Sequence, residues 1–356
     1  MAKIGRQPGA DEPSKAGDAL RHRRVLITGG AGFIGSHLTD LLLARGDEVT
    51  IIDNLSTGRL SNLADSTRPR LRFIEAELTS ALGALGPGEL FDEVYHLAAA
   101  VGVKLIVDDP IGCIETNIIG TSHVLRFALR HGPGGGPART LVASSSEVYG
   151  KSDKSPFAED DDVVYGPTTR SRWSYAASKA VDEYLALAHH STHGLPVVIT
   201  RFFNTVGPRQ VGAYGMVLPN FVAAALEERP LSIYGDGKQV RCLCDVRDVV
   251  ETLPKLLASA ACHGKVFNVG SDSPLTIEEL ADRVISVLGS RSSKQFIPYD
   301  HAYAAGFEDL RRRVPDLRRI RSAIGFEPRY TLERTILDIA EAMRTPGPVP
   351  SGEVGS

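Results

Sequence analysis

Tyr175 and Lys179 stand four residues apart in a stretch, Tyr175-Ala-Ala-Ser-Lys179, that reads as helix. Residues i and i+4 share a helix face, so the spacing can bring an ammonium beside a phenol. A free tyrosine titrates near ~10, and serving as a base near neutrality requires a fall of ~3 units, or ~4 kcal/mol. A lysine cation supplies part of that by favouring the phenolate. Upstream, the apolar run Thr140-Leu-Val-Ala143 leads into Ser144-Ser-Ser-Glu147-Val-Tyr-Gly150, a strand followed by a polar end. A hydroxyl such as Ser145 can bond a substrate oxygen and hold it for proton transfer. Tyr-x-x-x-Lys is frequent on helices by chance, so its weight depends on what precedes it.

What precedes it is a nucleotide signal. Val25-Leu-Ile27 runs into glycines at 29, 32 and 35, and Ser36 and His37 then lead to the apolar-periodic Leu38, Leu41 and Leu42. This is strand, tight turn and helix, and the turn leaves backbone N–H groups at a helix N-terminus, where a pyrophosphate is favoured. Gly29 permits the turn, Gly32 admits the phosphates close to the backbone, and Gly35 lets helix pack on strand. A second strand, Glu48-Val-Thr-Ile-Ile52, ends in Asp53, a carboxylate ~20 residues on that is placed to bond the adenine ribose hydroxyls. Asp53 would repel a 2′-phosphate, so NAD is expected over NADP; Arg59 nearby reads as a solvated loop residue. A dinucleotide fold followed by a serine-rich strand end makes Tyr175 and Lys179 catalytic candidates.

The chain has 356 residues, 42% hydrophobic and 23% charged, with net charge −3. This is an ordinary enzyme composition with a sizeable core, and its charge gives no case for nucleic-acid or membrane binding. No apolar run approaches the ~20 residues of a membrane span. The four cysteines, at 113, 242, 244 and 262, lack paired metal-ligand spacing. Cys242-x-Cys244 reads as two buried small residues on one strand face, and no metal is expected. A reduced, cytoplasmic protein is the default.

The elements that must position these residues alternate. Strands are expected at Leu71-Arg-Phe-Ile74, Glu93 to Ala99, Thr140 to Ser144 and Pro196 to Phe202, with helices around Cys113 to Arg130 and Tyr175 to His190; Gly132-Pro-Gly-Gly-Gly-Pro137 is a loop. Regular alternation implies right-handed crossovers and an α/β fold, a doubly wound Rossmann-type parallel sheet with ligands at the carboxyl ends of its strands. The expected organisation is a tail at 1–20, an NAD-binding domain at 21–203, a smaller substrate-binding portion at 204–343, and a second tail at 344–356. Residues 245–257 are expected to return to the first domain.

With these motifs in view, the chain resembles the extended short-chain dehydrogenase/reductases that act on nucleotide sugars. The likeness runs from about Arg24 to Arg344. It rests on Gly29-x-x-Gly32-x-x-Gly35, Asp53-Asn-Leu55, His96-Leu-Ala-Ala99, Asn117 to Thr121, Ser145 with Glu147-Val-Tyr-Gly150, Tyr175-x-x-x-Lys179 and Arg201-Phe-Phe-Asn204. Further on stand Gly207-Pro-Arg-Gln210, Leu218-Pro-Asn220, Tyr234-Gly-Asp-Gly237 with Arg241, and Asp248-Val249. The resemblance implies cofactor contacts from Gly29, Gly32, Phe33, Ile34, Gly35, Asp53, Asn54, Glu77, Leu78, Leu97, Ala98, Ala99, Asn117, Tyr175 and Lys179. It implies substrate contacts from Ser145, Ser146, Asn204, Arg209, Leu218, Asn220, Tyr234 and Arg241, the last on the diphosphate through its forked donors. Ser145, Glu147, Tyr175 and Lys179 are the catalytic set. His96 would lie by the cofactor, or be a satisfied core histidine. The Asn117 and Tyr175 helices would form a homodimer bundle.

Two departures and one choice remain. Glu77 stands where the family usually has an aspartate. Gly306 stands three residues before Asp309, where galactose-type 4-epimerases carry an arginine; Arg311, Arg312 or Arg313 would have to substitute, unless that run is a solvated face. Ser146 occupies the place of the proton-donating aspartate in 4,6-dehydratases, and a serine is too weak an acid for that work. Gly207-Pro-Arg-Gln210 and the context Arg172-Trp-Ser-Tyr175-Ala-Ala-Ser-Lys179 look closer to epimerases, so the resemblance implies an NAD-dependent UDP-sugar 4-epimerase passing through a 4-keto sugar, on UDP-glucuronate first and UDP-glucose/UDP-galactose next. The alternative is a UDP-glucuronate decarboxylase giving UDP-xylose, which Ser-Glu-Val-Tyr-Gly resembles.

Overall fold

Val25 and Ile27 of β1 (Arg24–Thr28) pack into one apolar layer and Leu26 into the opposite one, because successive strand side chains point to opposite faces. A strand buried on both sides is what an unbroken apolar run encodes. The computed structural model describes residues 22–63, 68–100, 109–212, 216–298 and 310–345. The expected tail at 1–20, residues 346–356 of the one expected at 344–356, and Gly306 and Asp309 lie outside these residues, whereas Arg344 is the last residue of a helix.

In chain order, β1 is followed by α1 (Phe33–Arg45), β2 (Glu48–Asp53), β3 (Leu71–Glu75), α2 (Leu78–Ala84), β4 (Glu93–His96), α3 (Pro110–Ala128), β5 (Arg139–Ser145) and α4 (Ser174–His193). Next come β6 (Val197–Phe202), β7 (Thr205–Val206), α5 (Val217–Leu226), β8 (Leu231–Tyr234), β9 (Val240–Cys242), β10 (Cys244–Asp245) and α6 (Val246–Ala258). The chain continues through β11 (Lys265–Val269), β12 (Pro274–Thr276), α7 (Ile277–Leu288), β13 (Lys294–Ile297), β14 (Arg312–Arg313), α8 (Arg318–Ile324) and α9 (Leu332–Arg344).

The main sheet has seven strands in the order β11-β6-β5-β4-β1-β2-β3, every pairing parallel. The alternation expected from sequence is thus a doubly wound Rossmann sheet. Leu38 and Leu42 of α1 and Val249 and Leu253 of α6 cover one face, and Ala81 and Leu82 of α2, Val124 and Leu125 of α3 and Ala186 of α4 cover the other. The return of 245–257 appears as α6. One strand departs from the expected boundary: β11, at Lys265–Val269, belongs to the main sheet by pairing with β6, although it lies within the portion assigned to substrate. The short run Val266-Phe-Asn-Val269 carries too little pattern to reveal a partner over sixty residues away.

Beyond β6 the smaller portion has its own core. Leu218 and Phe221 of α5, Leu231 and Ile233 of β8, Leu280 and Val284 of α7, and Ile336 and Ile339 of α9 pack together. A capping box starts α7, with Thr276 and Glu279 exchanging side-chain and backbone hydrogen bonds. Cys242 and Cys244 fall on two different strands, β9 and β10, and both are buried free thiols.

Candidate active site

The strand order reverses between β1 and β4, and a crevice opens outside the carboxyl ends of such strands. Here it is a cleft of about 1630 Å³, reached by the ends of β1, β2, β4, β5 and β6 on one side and by α5, β8 and β9 on the other. Every predicted cofactor and substrate residue lines it except Asn117. Asn117 is 1% exposed and sits underneath, accepting from the Ala100 N–H at 3.0 Å and donating to Ser178 Oγ at 3.2 Å.

At the β1 end, Gly29 has φ +75°, and a Cβ there would lie 2.7 Å from the Ala98 nitrogen. A Cβ on Gly35 would lie 2.1 Å from the Gly29 carbonyl oxygen. Its lack of a side chain therefore lets the first turn of α1 approach the backbone that leaves β1, as expected. Gly32 precedes α1 with no side-chain cap, and no acid stands in the first turn, so the helix N-terminus is left to a ligand. Asp53 is 8% exposed; it accepts from Ala31 N–H at 2.9 Å and Leu55 N–H at 2.8 Å. The carboxylate thus pins the glycine loop to the end of β2 as well as facing the cleft. Asn54 donates to Glu77 at 2.9 Å, which gives this glutamate a second-strand partner.

On the other wall, Ser145 ends β5 and caps a single 3-10 turn, Ser146–Tyr149, by accepting from the Glu147 N–H at 3.2 Å. Its hydroxyl also acts on the Tyr175 phenol, in the direction that favours the phenolate. Glu147 is clasped by two guanidiniums, Arg172 at 2.7 Å and Arg313. These arginines overcome the burial that would raise it and hold its carboxyl at about 2, so it is ionised. Tyr175 is buried, and burial followed by the Glu147 charge pushes its phenol up from the ordinary value. Lys179, one turn further along α4, lines the same cleft as Tyr175; its ammonium donates to Asp182 Oδ2 at 2.7 Å, an ion-pair partner that the spacing did not reveal.

Other expected contacts are rearranged by partners that spacing does not reveal. Arg209 has φ +69° and pairs with Asp40 of α1 at 2.7 Å. Arg241 is 7% exposed and donates to the Leu310 carbonyl at 2.8 Å. Asn220 donates to the Gly212 carbonyl at 3.1 Å, while Asn204 keeps a buried Oδ1 without a hydrogen bond among the described residues. Arg313, weighed as a diphosphate contact or part of a solvated face, is instead buried against Glu147. What sequence reasoning missed is the pairing of Arg172 and Arg313 with Glu147. Arg172 stood in the Tyr175 motif, but nothing marked Glu147 as its partner, and Arg313 is brought in by β14 pairing with β9. His96 is the satisfied core histidine, bonded to Thr28 at 2.8 Å and Thr121 at 3.0 Å. Among the described residues no His/Cys/Asp/Glu group could hold a metal ion, and no helix is long and apolar enough to cross a membrane.

Residues 26–339 match the family described as GDP-mannose 4,6 dehydratase. The UDP-N-acetyl-alpha-D-glucosaminuronate decarboxylase of Bacillus cytotoxicus is 38% identical over 323 residues, spanning 90% of this chain and 98% of that protein. UDP-glucuronic acid decarboxylase 1 of Arabidopsis thaliana is 36% identical over 317 residues, 89% of this chain and 68% of that protein. Among solved structures, a UDP-N-acetylglucosamine 4-epimerase from Methanobrevibacter ruminantium superposes with a TM-score of 0.80 at 28% identity, over 91% of this chain and 99% of that one. DesIV, a dTDP-glucose 4,6-dehydratase from Streptomyces venezuelae solved with NAD bound, gives 0.78 at 31% identity, over 90% of this chain and 97% of that one.

Proposed function

The chain belongs to the GDP-mannose 4,6 dehydratase family of extended short-chain dehydrogenase/reductases acting on nucleotide sugars, and on that premise we propose that it is an NAD-dependent UDP-hexuronate decarboxylase. The observation that carries this reading is Glu147, buried, ionised and shared between Arg172 and Arg313 on the wall where Ser145 and Tyr175 stand. The family description names a dehydratase, but Ser146, 3% exposed in the turn, has no acidity to protonate a departing hydroxyl. Decarboxylases of UDP-hexuronates are the curated relatives at 38% and 36% identity.

The cofactor is NAD, and the cleft fits it: the uncapped α1 N-terminus suits the pyrophosphate, Asp53 the adenine ribose, and Leu97 to Ala99 the far wall. When bound, it supplies the acceptor and later the donor of the C4 hydride. Tyr175 takes the 4-hydroxyl proton while Ser145 holds that oxygen. With C4 a ketone, the sugar is a β-keto acid. The C5–C6 bond breaks, carbon dioxide leaves, and the bonding pair passes through C5 onto the C4 oxygen, where Ser145 and the Tyr175 hydroxyl donate to it. C5 then takes a proton from solvent, and Tyr175 returns its own to the C4 oxygen as C4 is reduced. The guanidiniums of Arg172 and Arg313 supply a positive field for the uronate carboxylate. Glu147 shares those donors, so the carboxylate is attracted without being held so tightly that loss as a neutral gas is suppressed.

A homodimer belongs to this proposal. Ile111 (70% exposed) and Ile119 lie on α3, and Val181 and Tyr184 (69% exposed) on α4; the two helices pack side by side and present an apolar face outward. A 4-epimerase is the second reading, favoured by structural neighbours such as the one above. The test is incubation with NAD and either UDP-glucuronate or its 2-acetamido analogue, with products identified by mass and NMR. A UDP-pentose lighter by carbon dioxide is expected. A product of unchanged mass and inverted C4 would make the epimerase correct.

A further inference from the structure

Lys179 has a partner that the reaction chemistry does not call for. Its ammonium and the Asp182 carboxylate are 2% and 0% exposed, and burying such a pair strips both ions of water, so it is weak support for stability. The next residue, Glu183, already serves the fold by holding Arg201 through two hydrogen bonds, at 2.9 and 2.7 Å. Asp182 does no such work: its Oδ1 makes no hydrogen bond of normal length among the described residues. Lys179 is therefore its main support, with a lesser pull from the Thr121 hydroxyl on α3.

Behind the pair lies an ordered line of buried groups. Thr121 Oγ1 meets His96 Nε2 at 3.0 Å, His96 Nδ1 meets Thr28 Oγ1 at 2.8 Å, and Thr28 accepts from the Ala98 N–H at 3.3 Å. Burial and the Lys179 charge hold His96 down at about 3, so it is neutral, with one ring nitrogen donating and one accepting. Through Thr121, whose hydroxyl acts on Asp182, this line joins the pair to β4, at whose end Leu97 lines the cofactor cleft.

We propose that Asp182 is a positioning residue: it anchors the Lys179 ammonium against α3 and so sets how much positive charge the Tyr175 phenol feels. This rests on Tyr175 and Lys179 being the acid–base pair, whichever product is released. Tyr175 faces Ser145 and Glu147 from the end of β5, Cys113 from α3 and Asp182 from its own helix. Asp182 faces Lys179 and Glu183 on α4 and Thr121 on α3, and His96 on β4 feels Lys179.

Asp182→Asn keeps the shape and removes the charge. With a near negative charge gone and the ammonium released, the phenolate is favoured. The acid limb of the kcat–pH profile should move to lower pH by about one unit, and Asp182→Glu should move it back. An ultraviolet tyrosinate titration of the NAD-loaded protein, with the Tyr175→Phe trace subtracted, should shift the same way. It needs no sugar nucleotide, so its result stands apart from the product assay. If Asp182→Asn does not fold, Thr121→Val should shift both readouts in the same direction by less. A folded variant that loses thermal stability with limb and titration unmoved would show a merely structural pair and overturn the proposal.

Discussion

Glu147 and His96 respond to acid in pH windows that open at different values, 4.5 and 6.5, which makes each residue's role measurable. His96 is depressed from 6.5 to about 3 by burial and the Lys179 charge. Folded protein keeps it neutral while the unfolded chain takes up a proton, so stability is intact above about pH 6.5 and is lost on acidification at about 1.4 kcal/mol per pH unit. His96→Gln should flatten urea-melt stability between pH 6.5 and 4.5 relative to the wild type. Glu147 is depressed from 4.5 to about 2 by its two arginines, which favours the folded state above pH 4.5 by about 3 kcal/mol and is lost as pH falls toward 2. Glu147→Gln should therefore be less stable than wild type at pH 6 by that order, with the gap closing below pH 4. Its turnover should fall at least ~100-fold while NAD affinity, measured by calorimetry, is retained. At the same scale, Tyr175→Phe should drop kcat by ~100-fold or more with NAD and UDP-sugar binding nearly unchanged; substantial remaining activity would remove Tyr175 from the base role.

Among the elements, the turn from β1 into α1 tolerates the least. A Cβ on Gly35 would sit 2.1 Å from the Gly29 carbonyl oxygen, a backbone atom that cannot swing aside. Gly35→Ala should cost at or above the ~3 kcal/mol upper end of ordinary overpacking, and NAD binding should weaken because the loop that receives the pyrophosphate is displaced. The capping box of α7 is a useful contrast. Thr276→Ala removes the side-chain acceptor for the Glu279 N–H and should cost about 1 kcal/mol. Distant from the glycine loop in the fold, it should leave NAD affinity where it was. Melting temperature and calorimetric affinity measured together on both variants separate cofactor-loop damage from simple helix loss.

For the whole molecule, two junctions matter. The smaller portion is tied to the main sheet through α6 and α9: Asp245 caps α6, pairs with Arg247 at 2.7 Å and accepts from Thr335, while Arg247 also reaches Asp338 and stacks on Tyr330. Both walls of the cleft are thus fixed by charge-assisted bonds rather than by a loose linker. The outward face of α3 and α4 is the other, as the proposed dimer contact. Ile111→Glu with Tyr184→Glu should convert a dimer into a monomer in sedimentation equilibrium, because two charges would then be buried in an apolar contact. A wild-type chain that sediments as a monomer at micromolar concentration would refute the dimer.

The sequence by itself determined the Rossmann sheet, the glycine turn, the acid at the end of β2 and the Tyr175–Lys179 spacing. These depend on patterns within a few residues: alternating apolar runs, glycines where a Cβ has no room, and a helical period of four. Tertiary structure decided which charges meet. Glu147 finds Arg313 only because β14 pairs with β9 at the far end of the chain, and Lys179 pairs with Asp182 because the two are buried together one turn apart. Spacing along a helix limits which groups can face each other; burial and the strength of competing partners decide which of them do. β11 joins the main sheet for the same kind of reason, since its place depends on an edge offered by β6 and not on anything within its own five residues.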